Sequence, residues 1–299
     1  MSFNDNITLS TEGVSRGSGK RGAAIGGGIG GLGLLGALIM FLLTGQIPNF
    51  GSANVAPDNG GVAAGDETSL AEECRSGADA NASDECRMVA GKNSLDAFWG
   101  KALPAEAGIS YISPGLVLYS GMVNTACGTG SSQTGPFFCP GDDKIYIDVS
   151  FFNQLTRMGA ENAPLAQLYI LAHEWGHHIQ FQGGILQQID HNSSGPTSSM
   201  VRSELQADCL AGVWIHNASG TIDSDTGVAF MKTPTNAEMR SALAAAQAVG
   251  DDRIMENAGM RANPDNFSHG SAEKRLEWLS RGIEKGTIAS CDTWSVRVP

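Results

Sequence analysis

His173-Glu174-Trp175-Gly176-His177 sets two imidazoles four residues apart with a carboxylate directly after the first. On a helix, residues so spaced share a face, with Cβ atoms about 5–6 Å apart. Both rings can then reach one Zn²⁺ at about 2.0–2.1 Å. Glu174 points beside such a metal instead of at it, where a carboxylate can take a proton from water. The chemistry these residues point to is metal-assisted hydrolysis. A zinc that works on substrate needs a third protein ligand and an open fourth position. Ser203-Glu204-Leu205-Gln206-Ala207-Asp208 offers two carboxylates on one helix face. Glu204 is expected to complete the ligand set for one zinc per chain. Asp208 is expected to receive the second ring N–H of His173 or His177, which fixes that ligand's tautomer. Leu205, Leu210, Val213 and Trp214 flank the pair, so this helix reads as buried, and buried carboxylates need partners. Two His and one carboxylate suit zinc better than Mg²⁺ or Ca²⁺, which prefer all-oxygen shells.

The His–Glu–His motif with a downstream Glu-x-x-x-Asp is the gluzincin arrangement. After His177 the chain reads His178-Ile179-Gln180-Phe181-Gln182-Gly183, with no third His in register, which excludes the metzincin pattern. His269, in a Ser/Gly-rich turn, is the candidate to stabilise an oxyanion; a structural capping role is the alternative. His178 lies about 100° round the helix from its neighbour, at the metal's periphery or the surface. His191 and His216 read as surface residues. Tyr146, on a strand before the His helix, is a candidate substrate contact if that strand is a sheet edge.

These residues must be positioned by regular elements. Lys144 to Val149 alternates with period two and reads as a strand. A helix is expected over Glu85 to Trp99. The metal helix runs from Pro164 to about Gln182, with Pro at its start and Gly183-Gly184 beyond its end. Further helices are expected from Ser203 to about Asn217, from a Thr235/Glu238 capping box through Val249, and from Ala272 to Lys285. The fold class is α+β and zincin-like: a small sheet against the metal helix, then a mostly helical C-terminal half.

The chain resembles the bacterial neutral zinc metallopeptidase family from roughly Ala90 to Trp294. The markers are Ala126-Cys127-Gly128, Gly135-Pro136-Phe137-Phe138-Cys139-Pro140, Ile145 to Asp148, His173 to His178, Glu204 to Gly212, Gly250 to Arg253 and Ser268 to Ser271. The resemblance implies a zinc-dependent, membrane-anchored, proteolytic enzyme acting on a protein or peptide, and names no substrate. Trp175 departs from the family's usual Val and bears on packing or the site wall. The rival class is a non-catalytic, zinc-stabilised binding or scaffold domain, which would not need Glu174.

The chain is acidic, with a formal charge of -12, and no Lys/Arg cluster follows residue 21, which argues against nucleic acid. Ala23 to Leu43 carries no charged or strongly polar side chain and as a helix would span about 32 Å, a bilayer core. Arg16, Lys20 and Arg21 precede it, and the next basic residue is Arg75, so the N-terminus is expected in the cytoplasm and the rest outside. A cleaved signal peptide is the alternative. Gly26, Gly27, Gly30 and Gly31 have the spacing of a membrane-helix contact, a weak dimerisation signal. The expected division is a cytoplasmic 1–22, a membrane helix 23–43, a flexible linker 44–72 and an extracytoplasmic domain 73–299. Six cysteines in an exported domain imply disulfides. Proximity suggests Cys74–Cys86, Cys127–Cys139 and Cys209–Cys291, among 15 connectivities.

Overall fold

The computed structural model describes residues 2–17, 65–132 and 134–299. In chain order its elements are β1 (Val14–Arg16), α1 (Gly65–Glu73), α2 (Gly77–Ala82), α3 (Asp84–Ala107), β2 (Gly115–Tyr119), β3 (Met122–Thr125), β4 (Gly128–Ser131), β5 (Phe137–Cys139) and β6 (Lys144–Asp148). Then follow α4 (Phe152–Arg157), α5 (Pro164–Gln182), α6 (Ser199–Asn217), α7 (Asn236–Ala248), α8 (Asp251–Asn257) and α9 (Ala272–Lys285). The mixture of helix and strand matches the expected α+β class.

One sheet has the order β1-β2-β6-β5, with β1, β2 and β6 parallel and β5 antiparallel on the edge. β3 and β4 form a separate hairpin. Helix α5 is buried almost all round, through Leu168, Tyr169, Leu171 and Trp175 among others, which makes it the axis of the domain. Pro164 starts it, where the missing N–H costs nothing. Helix α6 starts one turn earlier than expected, because the Ser198 hydroxyl accepts from the Val201 N–H. It packs on α5 at Gly176, where a Cβ would stand 2.9 Å from Ala207 Cα. The Thr235/Glu238 capping box forms as expected.

All three expected disulfides form. Cys74–Cys86 ties the end of α1 to α3, Cys127–Cys139 clips β5 to the β3–β4 hairpin, and Cys209–Cys291 fastens the C-terminal tail to α6.

The N-terminal division needs correction. Residues 65–72, expected in the linker, belong to α1, and residues 2–17 are part of the folded body. Phe3, Ile7 and Val14 are fully buried in the core, each worth about 1.5–3 kcal/mol. Strand β1 adds to β2 in register. Hydrophobic residues spread over so short a polar segment gave no periodic signal. The proposed membrane helix and its glycines lie outside the described residues. Among the described residues, no helix is long and apolar enough to cross a membrane.

Candidate metal centre

The ligand positions sit on the middle turns of α5 and the first turns of α6, which pack together side by side. His173 Nε2 lies 3.2 Å from Glu204 Oε2, and His177 Nε2 lies 3.4 Å from Glu204 Oε1. Ligand atoms held about 2.0–2.1 Å from a tetrahedral centre stand about 3.3 Å apart, so the spacing fits zinc. One ligand atom from each of the three residues lies within 4.8 Å of the others. The cluster is compatible with a zinc site.

Each imidazole is oriented from behind. His173 Nδ1 donates to Asp208 Oδ1 at 2.8 Å; a carboxylate only accepts, so the proton sits on Nδ1 and Nε2 faces Glu204. Asp208 is itself held: Tyr169 Oη donates to Oδ1 at 2.5 Å, and the Arg275 guanidinium donates to both oxygens at 2.8 and 2.9 Å. Burial opposes the charge on Asp208, but Arg275 and His173 beside it bring its pKa down to about 2. Burial likewise opposes charge on His173, and Asp208 and Glu204 carry its pKa up to about 10. Glu204 is buried too, yet the neighbouring His177, His269 and His173 hold it well below the usual carboxylate range.

His177 has a different support. Its Nδ1 donates to Gln180 Oε1 at 2.9 Å. The amide cannot flip without loss, because Gln180 Nε2 donates to the Ser203 carbonyl at 2.7 Å and to Gln206 Oε1 at 3.0 Å. Gln206 in turn donates to the carbonyl of Cys291, next to the C-terminal disulfide.

Glu174 lies beside the metal cluster, and its Oε2 accepts the backbone N–H of Phe138 at 2.9 Å. Phe138 is the middle residue of the edge strand β5. A cleft of about 260 Å³ opens over the cluster, walled by Phe138, Phe151, Ile170, Met200 and Val249, with His269 and Arg275 at its side. His269 is buried; Asp251 Oδ2 accepts its backbone N–H at 2.7 Å, and its ring Nδ1 is 3.1 Å from Asp251 Oδ1.

Tyr146 does not reach the cleft as a substrate contact. Strand β6 is interior, flanked by β2 and β5, so Tyr146 is buried, stacked on Phe137, with its hydroxyl on Asp142 at 2.6 Å. Trp175 faces away from the metal cluster: its indole N–H donates to Tyr111 Oη at 3.0 Å, which in turn bonds Asp96. Its effect is on packing. His178 is fully buried and bridges the Ile112 carbonyl and Asp143. His216 is a surface residue, while the exposed His191 lines the rim of the cleft.

Sequence reasoning assigned no role to Tyr169, Gln180, Arg275 or Asp251, although Asp251 lies within the Gly250 to Arg253 marker. Two carried a signal: Tyr169 is four residues before His173 and Gln180 three after His177, so each shares a helix face with its ligand. Arg275 stood out only as a cation on the buried stripe of α9 with Ala272, Trp278 and Leu279.

The model of the family described as "Putative neutral zinc metallopeptidase" matches residues 4–294. The uncharacterized protein Rv2575 of Mycobacterium tuberculosis (strain ATCC 25618 / H37Rv) is 44% identical over 224 residues, covering 75% of each chain. The uncharacterized protein YpfJ of Escherichia coli (strain K12) is 39% identical over 201 residues, covering 66% of each. No solved structure matches this chain. With its ligand cluster and the carboxylate beside it inside a match that spans nearly the whole sequence, the chain belongs to the neutral zinc metallopeptidase family.

Proposed function

We propose that this chain is a peptidase that hydrolyses peptide bonds with one zinc per chain, held by His173, His177 and Glu204. The observation that carries the reading is the placement of Glu174: a carboxylate beside the three ligands, with one oxygen fixed by the edge strand of the sheet. A zinc ion there supplies a Lewis acid that polarises a carbonyl and acidifies water. Glu174 accepts the proton of the attacking water and hands it to the leaving amine. His269, anchored by Asp251, donates a hydrogen bond to the oxyanion that forms. The domain around this site is zincin-like.

A peptide suits the cleft for two reasons. Its walls are largely apolar. Strand β5 is the edge of the sheet beside Glu174, so an extended chain can dock along it, with the outward Phe138 N–H already given to Glu174. This role passes to β5 from the strand of Tyr146.

The test is digestion of a broad peptide library by metal-free protein and by the same protein reloaded with zinc. The proposal expects cleavage only after reloading. Stoichiometric zinc binding with no cleavage would favour the scaffold reading instead.

A further inference from the structure

We propose that the Cys127–Cys139 disulfide positions Glu174, and that its exposed partner, Cys127, lets a dithiol reductant turn the site down while the metal ligands stay in place. The proposal rests on the reading of Glu174 as the base.

The three disulfides differ in exposure. Cys127 lies in the turn between β3 and β4 and is exposed, whereas the other five cysteines are at most 3% exposed. Exchange requires a thiolate to reach a disulfide sulfur. Cys74–Cys86 and Cys209–Cys291 are shut away from that approach, and Cys127 is open to it. A thiolate of the reductant attacks Cys127 Sγ and forms a mixed disulfide; the bond to Cys139 breaks, and Cys139 leaves as a thiolate that takes a proton. The second thiol of the reductant then attacks the mixed disulfide and frees Cys127. The reductant ends as its own disulfide, and two electrons and two protons pass to the two cysteines.

What this bond holds is the strand that holds Glu174. Strand β5 has three residues and pairs with β6 on one side only. Its Phe138 N–H anchors Glu174 Oε2, and Cys139 is the next residue. Pro136 and Pro140 bracket the strand, and proline fixes its own φ and keeps the residue before it extended. The strand therefore has little freedom of its own to absorb a shift at Cys139, and the shift reaches Phe138. At the other end of the bond, the tip of the hairpin has a weaker tie to the same region, the Ala126 N–H to Asp142 Oδ2 at 3.3 Å. The three metal ligands stand on α5 and α6, outside the loop that the disulfide closes, so its reduction leaves them where they are.

Cys74–Cys86 supplies a matched control. Both disulfides join cysteines 12 residues apart, so each restrains the unfolded chain to the same extent. Only one of them stands next to the strand that anchors Glu174.

The experiment has two arms. In the first, metal-free protein is titrated with dithiothreitol, alkylated and mapped by mass spectrometry. Cys127 and Cys139 should be labelled at a lower dithiol concentration than the other four cysteines; labelling of all six together, or of another pair first, would overturn the switch. In the second, zinc-loaded wild type, Cys127→Ala/Cys139→Ala and Cys74→Ala/Cys86→Ala are compared for zinc content, peptide cleavage and hydrogen exchange at the Phe138 amide. The Cys127/Cys139 variant should keep its zinc, exchange the Phe138 amide at least about tenfold faster and cleave at least about tenfold more slowly, while the control variant matches wild type in all three. Wild-type exchange at Phe138 in the first variant, or equal losses in both, would overturn the proposal. Faster exchange confined to the first variant, with no cleavage by any of the three proteins, would uphold the positioning and sink the peptidase reading instead.

Discussion

The backbone N–H of Phe138 donates to Glu174 Oε2 at 2.9 Å, linking the edge strand of the sheet to the second residue of the His–Glu–His motif. Among the described residues, no other hydrogen bond engages that carboxylate. One oxygen is therefore fixed by strand β5 and the other is left for chemistry. Strand β5 is itself fastened by Cys127–Cys139, so a disulfide stands behind the aim of the proposed base.

The support behind His177 gives the first prediction. Gln180→Leu removes the acceptor for Nδ1 and also leaves the Ser203 carbonyl without its donor. Loss of such an orienting partner typically costs about 10- to 100-fold in metal affinity. Competition with a chromophoric chelator should show that loss, and the visible spectrum of the cobalt-substituted protein should change. Wild-type affinity and spectrum would remove Gln180 from the site.

Much of this site was legible because its spacing is short-range. The ligands, the base and Asp208 all follow from residues one or four apart on helices, and the helix bounds from Pro164 and from Ala272 follow from Pro and Gly signals at their ends. What escaped depends on long-range contact. Arg275 meets Asp208 across 67 residues of sequence. Strand β5 has only three residues, too few for an alternation to register, so its edge position passed to Tyr146 in the sequence reading. Residues 2–17 show neither helical nor strand periodicity, and their burial depends on partners far along the chain, such as Met231.

Gly176 tests whether the helix contact sets the ligand geometry. A methyl group there would meet Ala207 Cα and O at 2.9 Å, and crowding of that kind costs about 1–3 kcal/mol. Gly176→Ala should lower both the melting temperature and zinc affinity. Gly100→Ala is the control: its Cβ would meet only Tyr111, at 3.7 Å, and Ala favours a helix by about 1 kcal/mol over Gly. Equal melting temperatures for the two variants would contradict the close-contact argument.

Acid should act through Asp208. Its folded pKa is depressed to about 2, against about 3.9 for a free Asp. The stabilisation is fully present above about pH 4 and is lost as pH falls toward 2, a change of about 2 kcal/mol. Melting of metal-free protein between pH 6 and pH 2 should therefore fall more steeply for wild type than for Asp208→Asn, which has no such proton to bind. Parallel curves would show that the Asp208–Arg275 pair does not carry this stability.

The central claim is that one carboxylate turns a metal-binding cluster into a peptidase. Glu174→Gln is nearly isosteric and keeps an oxygen for the Phe138 N–H, but it cannot accept a proton from water. The deciding measurement is zinc content and peptide cleavage for wild type and Glu174→Gln side by side. The account predicts equal zinc and a loss of cleavage of at least about 10²-fold. Cleavage by the variant at the wild-type rate would contradict it.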